Sequence, residues 1–318
     1  MDSGLRARDG APDLPTVWGM GATNGAGARE LGDLLKTHRV AAGLTLIQLS
    51  ERIGQSPPTL NRLELGNRAA TSEIEVVHFL AACGASFKDV QRLTEFCREL
   101  NSGRGHWLCP SGQWMSDSMR SLIFHEASAT RVASYQPEVI PGLLQTEPYI
   151  QALFARKDLT DDFRAARVEA RLQRQKILFR NRPAKFTFFI HERALRLEVG
   201  DYRVMAEQLL AMLFFADQWN IGIRIVPSAA RHETLFGGSF LYFGYLRHRP
   251  LVFLDGAVTG VFLEDREHVE LHRSLLRQIA DVALDAEESR VLIATLADEY
   301  DRSEGKWDDT WRVAQEQL

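Results

Sequence analysis

Residues 43–66 read Gly43-Leu-Thr-Leu-Ile-Gln-Leu-Ser-Glu-Arg-Ile-Gly54-Gln-Ser-Pro-Pro-Thr-Leu-Asn-Arg-Leu-Glu-Leu-Gly66. The pattern is that of two short helices around a tight turn. Thr45 is placed to accept from the free amides of a first helical turn, and Leu46, Leu49 and Ile53 share one face at helical spacing. Gly54 stands where that helix must end in left-handed backbone, which costs glycine least. Ser56 caps the second helix, with Pro57 and Pro58 in a first turn where missing amide hydrogens cost little. Leu60 and Leu63 turn inward, which leaves Thr59, Asn61 and Arg62 outward, and Gly66 closes the unit. The spacing predicts a helix-turn-helix, the arrangement that lays its second helix in a DNA major groove.

The flanks extend it. Residues 29–42 read as a helix with Leu31, Leu34, Leu35 and the run from Val40 to Ala42 inward, and Lys36, His38 and Arg39 outward. Asn67 and Arg68 form a loop, and Thr71 or Ser72 caps a helix carrying Ile74, Val77, Phe79 and Leu80. Ser86 starts a further helix whose apolar stripe is Phe87, Val90, Leu93, Phe96, Cys97 and Leu100. Five helices over roughly 70 residues make an all-α N-terminal domain of ordinary small size, spanning residues 29–101.

On Gly43-Leu44-Thr45, Gly54, Ser56, Thr59, Arg62, Glu64 and Gly66, the segment resembles the Cro/repressor-type (XRE) helix-turn-helix family. The resemblance implies DNA binding through Thr45, Gln55, Ser56, Thr59, Asn61, Arg62, Asn67 and Arg68. Two departures narrow the assignment. Leu46 stands where family members carry a phosphate-contacting Gln, and Pro57 and Pro58 occupy positions that usually read bases. Direct readout then rests on Thr59, Asn61 and Arg62, of which Arg62 is suited to a bidentate contact with guanine. Ser56, Asn67 and Arg68 would grip phosphates and fix register. The competing reading is a five-helix module that binds protein, since residues 29–100 are near neutral rather than strongly basic. Near-neutrality predicts modest non-specific affinity and favours a homodimer on two half-sites.

The whole chain, 318 residues with 45% hydrophobic and 25% charged residues, has the composition of a soluble two-domain globular protein. A net charge of −4 argues against coating nucleic acid or an anionic membrane, so any DNA contact is a local patch. The longest apolar run, Leu209 to Ala216, falls short of the roughly 18 residues that span a bilayer. No secretory signal is legible, and Cys83, Cys97 and Cys109 show no paired spacing, which predicts a cytoplasmic protein. Residues 1–28, rich in Gly, Ala, Pro and Asp, read as a disordered arm, and residues 303–318 as either a docked amphipathic helix or a frayed tail.

Residues 106–302 read as an α+β domain with a largely antiparallel sheet. After the Asn101–Gly105 linker come a helix from about Ser116 to Ser134 and a Pro141-Gly142 turn. Thr146 caps the next helix, and a long arginine-laced helix runs from about Thr160 to Phe179. Strands follow at Phe186–Ile190, Ile221–Val226, Ser239–Tyr245, Leu251–Leu254 and Val258–Leu263, with helices at Met205–Trp219, Arg266–Ala283 and Ala286–Tyr300.

On Pro141-Gly-Leu-Leu-Gln-Thr-Glu-Pro-Tyr149, Arg171 to Leu178, His191 to Leu195, Gly200, Gln208 to Leu210, Val226-Pro227 and Gly238 to Phe240, this part is similar to the C-terminal domain of unknown function of actinobacterial XRE regulators described as antitoxin-like. The resemblance implies a DNA-binding regulator, often paired with a small protein encoded nearby.

Catalytic patterns fail. His268 and His272 share a helix face without a third ligand or the His-Glu-x-x-His order, Gly237-Gly-Ser239 lacks the surroundings of a nucleophile elbow, and no phosphate-binding glycine loop is present. The expectation is no enzyme, no cofactor and no metal. Tyr135, Tyr149, Trp107 and Trp114 around the Pro-Gly turn suit either a domain junction or a pocket. Glu126, Tyr135, Gln145, Thr146, Tyr149 and Arg174 are the candidates for lining such a pocket. The leading expectation is a dimeric, operator-specific transcriptional regulator under effector or partner control. The alternative is an antitoxin-like protein that mainly sequesters a small cognate protein and autoregulates its operon.

Overall fold

The computed structural model describes residues 25–316 apart from Ala69 and residues 111–116, 156–159, 231–237 and 257–258. It forms two compact units: residues 25–129 with Tyr242–Leu271, and Thr130–Leu241 with residues 272–316.

The first unit opens with helices α1 (Ala26–Ala41), α2 (Leu46–Ile53), α3 (Pro57–Glu64), α4 (Glu73–Ala82) and α5 (Phe87–Asn101). Leu31, Leu35, Leu49, Leu60, Leu63, Val76, Phe79, Leu80, Leu93 and Cys97 form their common core. Three details of the apolar pattern differ from the sequence reading. Val40, Ala41 and Ala42 are exposed, because the last turn of α1 runs past the core and Arg39 turns in from it to reach Glu64. On α4 the inward face runs through Val76, Phe79 and Leu80, which leaves Ile74 exposed. On α5 the face starts at Val90 and Leu93, so Phe87, one residue after the Ser86 cap, stands in solvent.

The start of α1 depends on a residue far along the chain. Its N-cap, Gly25, has no side chain to offer, and the Ala26 amide donates instead to Glu264 Oε2 at 2.8 Å. Burial pushes the Glu264 carboxyl above the usual carboxylate range, while the Ala26 and Gly27 amides pull it back. Residues 26–28 therefore belong to α1 and not to the arm, whose residues 1–24 lie outside the described ones.

One turn further, the buried Glu30 carboxylate accepts from Ser121 Oγ and lies 3.2 Å from His125 Nε2, and His125 Nδ1 sits 3.0 Å from the Tyr245 hydroxyl. Ser121 and His125 lie on α6 (Asp117–Ser128). Between α5 and α6 runs β1 (His106–Pro110), which the sequence reading did not anticipate; it pairs antiparallel with β7 (Thr259–Leu263), and β7 with β6 (Leu251–Asp255). Trp107 on β1 stacks on Phe262 of β7, centroids 5.1 Å apart, and is buried.

The second unit holds β2 (Arg131–Gln136), β3 (Lys185–His191) and β4 (Ile221–Val226), which run parallel in that order. The antiparallel pairing expected for the sheet is thus found at β1–β7–β6, and the β2–β3–β4 part is parallel. Parallel neighbours need crossovers, and helices supply them: α7 (Glu147–Ala155) and α8 (Asp161–Gln175) between β2 and β3, then α9 (Glu192–Arg196) and α10 (Tyr202–Ala216) between β3 and β4. The helix expected from Ser116 to Ser134 ends at Ser128, and Val132 to Tyr135 are buried strand residues. A strand covered on both faces loses the polar alternation that would identify it. The division between units falls within β5 (Phe240–Gly244) and within α11 (Arg266–Val282), and α12 (Ala286–Glu316) continues as one helix through the stretch expected to be tail. No described helix is long and apolar enough to cross a membrane.

The buried His125 gives the first unit a predictable acid response. Burial lowers its pKa below the ordinary 6.5, against the raising effect of Glu30, so the fold resists protonation of the ring. An unfolded histidine titrates near 6.5. Below that pH the unfolded chain takes up a proton that the fold resists, so this contribution is full above about pH 6.5 and is lost on acidification. Urea melts of the wild type and of His125→Gln at stepped pH should show the wild type losing stability faster between about pH 6.5 and 5. Equal slopes would refute the assignment.

Candidate nucleic-acid interface

The helix-turn-helix is built by caps that the local sequence supplies. Thr45 Oγ1 accepts from the Gln48 amide at 3.2 Å, and Gln48 Oε1 accepts from the Thr45 amide at 2.9 Å, a reciprocal box at the start of α2. Gly54 ends α2 at φ 72°, a left-handed backbone that a side chain would strain. Ser56 Oγ accepts from the Thr59 amide at 3.4 Å and sits 2.9 Å from the Thr59 hydroxyl, while Pro57 and Pro58 hold the first turn of α3.

With Leu60, Leu63 and Glu64 buried, the outer face of α3 consists of Pro58, Asn61, Arg62 and Leu65, spaced at i, i+3, i+4 and i+7. All four are exposed. The Arg62 side chain makes no hydrogen bond or ion pair among the described residues, so its guanidinium is available to a ligand. Thr59 is half-buried and its hydroxyl is shared with Ser56, which leaves Asn61 and Arg62 as the polar groups that project from the helix.

The remaining members of the expected DNA set are more constrained. Thr45 and Ser56 are exposed, with their side chains engaged as caps. Asn67 is exposed beside Gly66. Arg68 donates to Glu75 Oε1 at 2.6 Å, and Gln55 Nε2 approaches the same oxygen at 3.5 Å. Burial opposes ionisation of Glu75, yet the Ser72 amide and the Arg68 guanidinium outweigh it and hold its pKa below the ordinary carboxylate value. One carboxylate on α4 therefore restrains two members of the expected DNA-binding set, of which Arg68 is the one expected to grip phosphate. The Ser72-x-x-Glu75 spacing, an N-terminal capping box, was the sequence signal for where Glu75 would sit.

Sequence reasoning missed the attachment of α3 to α1. Arg39 donates to both oxygens of the buried Glu64 carboxylate, at 2.8 Å from Nη2, and to the Leu44 carbonyl at 2.7 Å. The Glu64 hydrogen bond raises the Arg39 pKa against the effect of burial. At Gly32 of α1 a Cβ would lie 2.5 Å from the Leu63 carbonyl oxygen, so the two helices meet backbone to backbone.

The residues expected to line a pocket occupy other roles. Glu126 is buried in the first unit, which also holds Trp107, and Trp114 lies outside the described residues. In the second unit Gln145 donates to the Ile140 carbonyl at 2.7 Å and accepts from Arg171 at 2.6 Å, and the Tyr149 hydroxyl accepts from the Ile140 amide at 3.3 Å. The Thr146 amide donates to Gln208 Oε1 at 2.7 Å. Its hydroxyl has no hydrogen-bond partner among the described residues, so α7 begins without the side-chain cap expected there. Tyr135 is buried with its ring 6.3 Å from Phe240, and Arg174 lies against Gly142. These contacts fix the Pro141-Gly142 turn. Among the described residues no group of three or more His, Cys, Asp or Glu is placed to hold a metal.

The family described as "Helix-turn-helix domain" matches residues 30–93, and that described as "Domain of unknown function (DUF5753)" matches residues 119–295. No curated protein matches. Among solved structures, the clp gene regulator ClgR from C. glutamicum is 32% identical over 23% of this chain and 91% of its own, with a TM-score of 0.20. TrmBL2, an archaeal chromatin protein, is 14% identical over 80% of this chain and 98% of its own, with a TM-score of 0.28.

The Arg39–Glu64 pair is largely buried, with side chains 12% and 3% exposed. Removing one partner leaves the other charge poorly compensated. Glu64→Ala should destabilise the first unit by about 3 kcal/mol, read as a drop in the urea midpoint without a change in slope. A loss below about 1 kcal/mol, the range of an exposed pair, would show that the clamp is not what holds α3.

Proposed function

Because this chain belongs to the DUF5753 family and carries a helix-turn-helix domain ahead of that region, we propose that it is a sequence-specific DNA-binding transcriptional regulator of the XRE type. The observation that carries this reading is the outer face of α3. Asn61 and Arg62 project from a helix whose other side is locked to α1 by Gly32 and the Arg39–Glu64 pair. A rigidly held helix with two free polar side chains meets the need for direct readout, in which side chains match the donors and acceptors on base edges. Pro57 and Pro58 contribute no donors, so few bases are read per copy. A homodimer on two half-sites, acting in the cytoplasm, supplies the remaining affinity. In this reading the DUF5753 region receives the effector or partner signal, and the chain performs no catalysis.

Fluorescence anisotropy on a duplex selected by the full-length protein from a random library, beside a scrambled duplex, tests the assignment. Arg62→Ala should weaken the selected duplex by about 1–3 kcal/mol and relax preference at one base position. Glu75→Gln, which removes the carboxylate charge from Arg68, should strengthen binding to both duplexes and steepen the salt dependence by roughly one phosphate contact. Retention of both affinity and base preference in Arg62→Ala would overturn the docking of α3 against base edges.

A further inference from the structure

The first unit contains a cavity of about 730 Å³ bounded by α1, α5, β1 and α6, which none of the residues assigned above to DNA contact lines. Its volume lies in the range of small-molecule sites, roughly 300–1,000 Å³. Leu34, Phe96, Ile123 and Phe124 give it apolar walls, and Ala127 stands at its edge. Asp33, Glu95 and Glu99 add carboxylates, with Glu30 deeper and already bonded to Ser121 and His125.

The charge balance selects the ligand. Four carboxylates and three guanidiniums, Arg92, Arg98 and Arg120, line the space. Arg98 makes a two-armed pair with Glu73 at 3.1 and 2.7 Å, and Arg92 lies 3.5 Å from Asp89; neither carboxylate is part of the lining. With Arg98 matched outside the cavity, four carboxylates face Arg92 and Arg120, an excess of negative charge around apolar and aromatic walls. That combination suits a positive head on an apolar body, with the aromatic side chains of Phe96 and Phe124 in the lining.

We propose that this cavity binds a small amphipathic organic cation and that its occupancy is read out at the recognition helix. The second clause rests on the regulator reading above. The path is short: α1 carries Glu30 and Asp33 at the cavity, and through Gly32 and Arg39 it is the helix against which α3 is locked. A ligand that favours one placement of α1 over another shifts α3 by the same preference, which is all that coupling requires.

Isothermal titration of the full-length protein with benzylamine and tryptamine, beside their uncharged counterparts benzyl alcohol and tryptophol, tests the site. The amines should bind saturably and the alcohols about tenfold more weakly or worse. The double variant Glu95→Gln/Glu99→Gln should weaken the amines by about tenfold while leaving the alcohols unchanged. Ala127→Trp, which fills the cavity from an exposed position, should abolish binding of both and keeps the test available if the double variant does not fold. Saturating amine should change affinity for the selected duplex by about threefold or more in the wild type and not in Ala127→Trp. Absence of amine binding, equal binding of amines and alcohols, or amine binding untouched by the variants would overturn the site. Amine binding without any change at the duplex would overturn the read-out. If no duplex is bound even without amine, the regulator reading fails on its own, and the calorimetry still decides the cavity.

Discussion

A carboxylate buried on the first helix, Glu30, sets the terms for the unit that holds the helix-turn-helix. A charged group removed from water is tolerated only where hydrogen bonds replace those it has lost. Ser121 and His125 provide them from α6, and Tyr245 in turn holds the far nitrogen of the imidazole. Each of these groups is itself buried, so none has water as an alternative partner. These bonds therefore hold the five-helix body where α1 meets α6 and the segment around Tyr245. Glu264 adds a second constraint of the same kind, a carboxylate that completes the first turn of α1 where Gly25 cannot. A helix-turn-helix is usually pictured as a free domain on a linker; here residues from position 242 to 271 are part of the same compact unit.

Within that unit α1 meets α3 backbone to backbone and through a buried ion pair, beside the apolar core that α3 shares with α2, α4 and α5. The absence of a side chain at Gly32 allows contact with the backbone of α3, and Arg39 closes on Glu64 a little further along. Both contacts lie on the side of α3 away from its exposed face. The recognition surface is left small and fixed, with two prolines stiffening its start and Asn61 and Arg62 as its polar groups. Glu75 adds restraint beside it by holding Arg68 and Gln55. In the proposed role, a surface so limited in free cations would bind weakly to DNA at large and leave discrimination to a few well-held side chains.

The second unit obtains its rigidity differently. Phe186, Phe188, Phe189, Ile190, Ile223 and Ile225 give its parallel strands a deep apolar core. Its polar contacts tie the helices to that core: Gln208 bonds the Leu144 carbonyl and the Thr146 amide, and Arg224 donates to the Ala280, Ala283 and Leu284 carbonyls at the end of α11. Guanidinium bonding to terminal carbonyls satisfies groups that a helix end leaves open and suits the negative end of its dipole.

What the sequence determined by itself is local. The caps Thr45, Ser56, Ser72 and Ser86, the left-handed glycines Gly54 and Gly66, and the helical spacing of Leu49, Leu60, Leu63, Phe79 and Leu93 involve residues a few positions apart, and α2 to α5 follow from them. Strands β3, β4, β5, β6 and β7 are legible for the same reason, as short apolar runs between turns. Tertiary structure decided the rest. β2 was read as helix because a strand buried on both faces carries no alternation, and β1 was missed because its partner, β7, lies some 150 residues away. The free state of Arg62, the restraint of Arg68 by Glu75 and the engagement of Gln145, Thr146 and Tyr149 around the Pro141-Gly142 turn depend on which distant groups come within bonding distance. The cavity beside α1 is of the same kind, since its walls come from helices that only folding brings together. Spacing along a chain fixes which way a side chain points on its own helix, and only the packed structure fixes what it meets there.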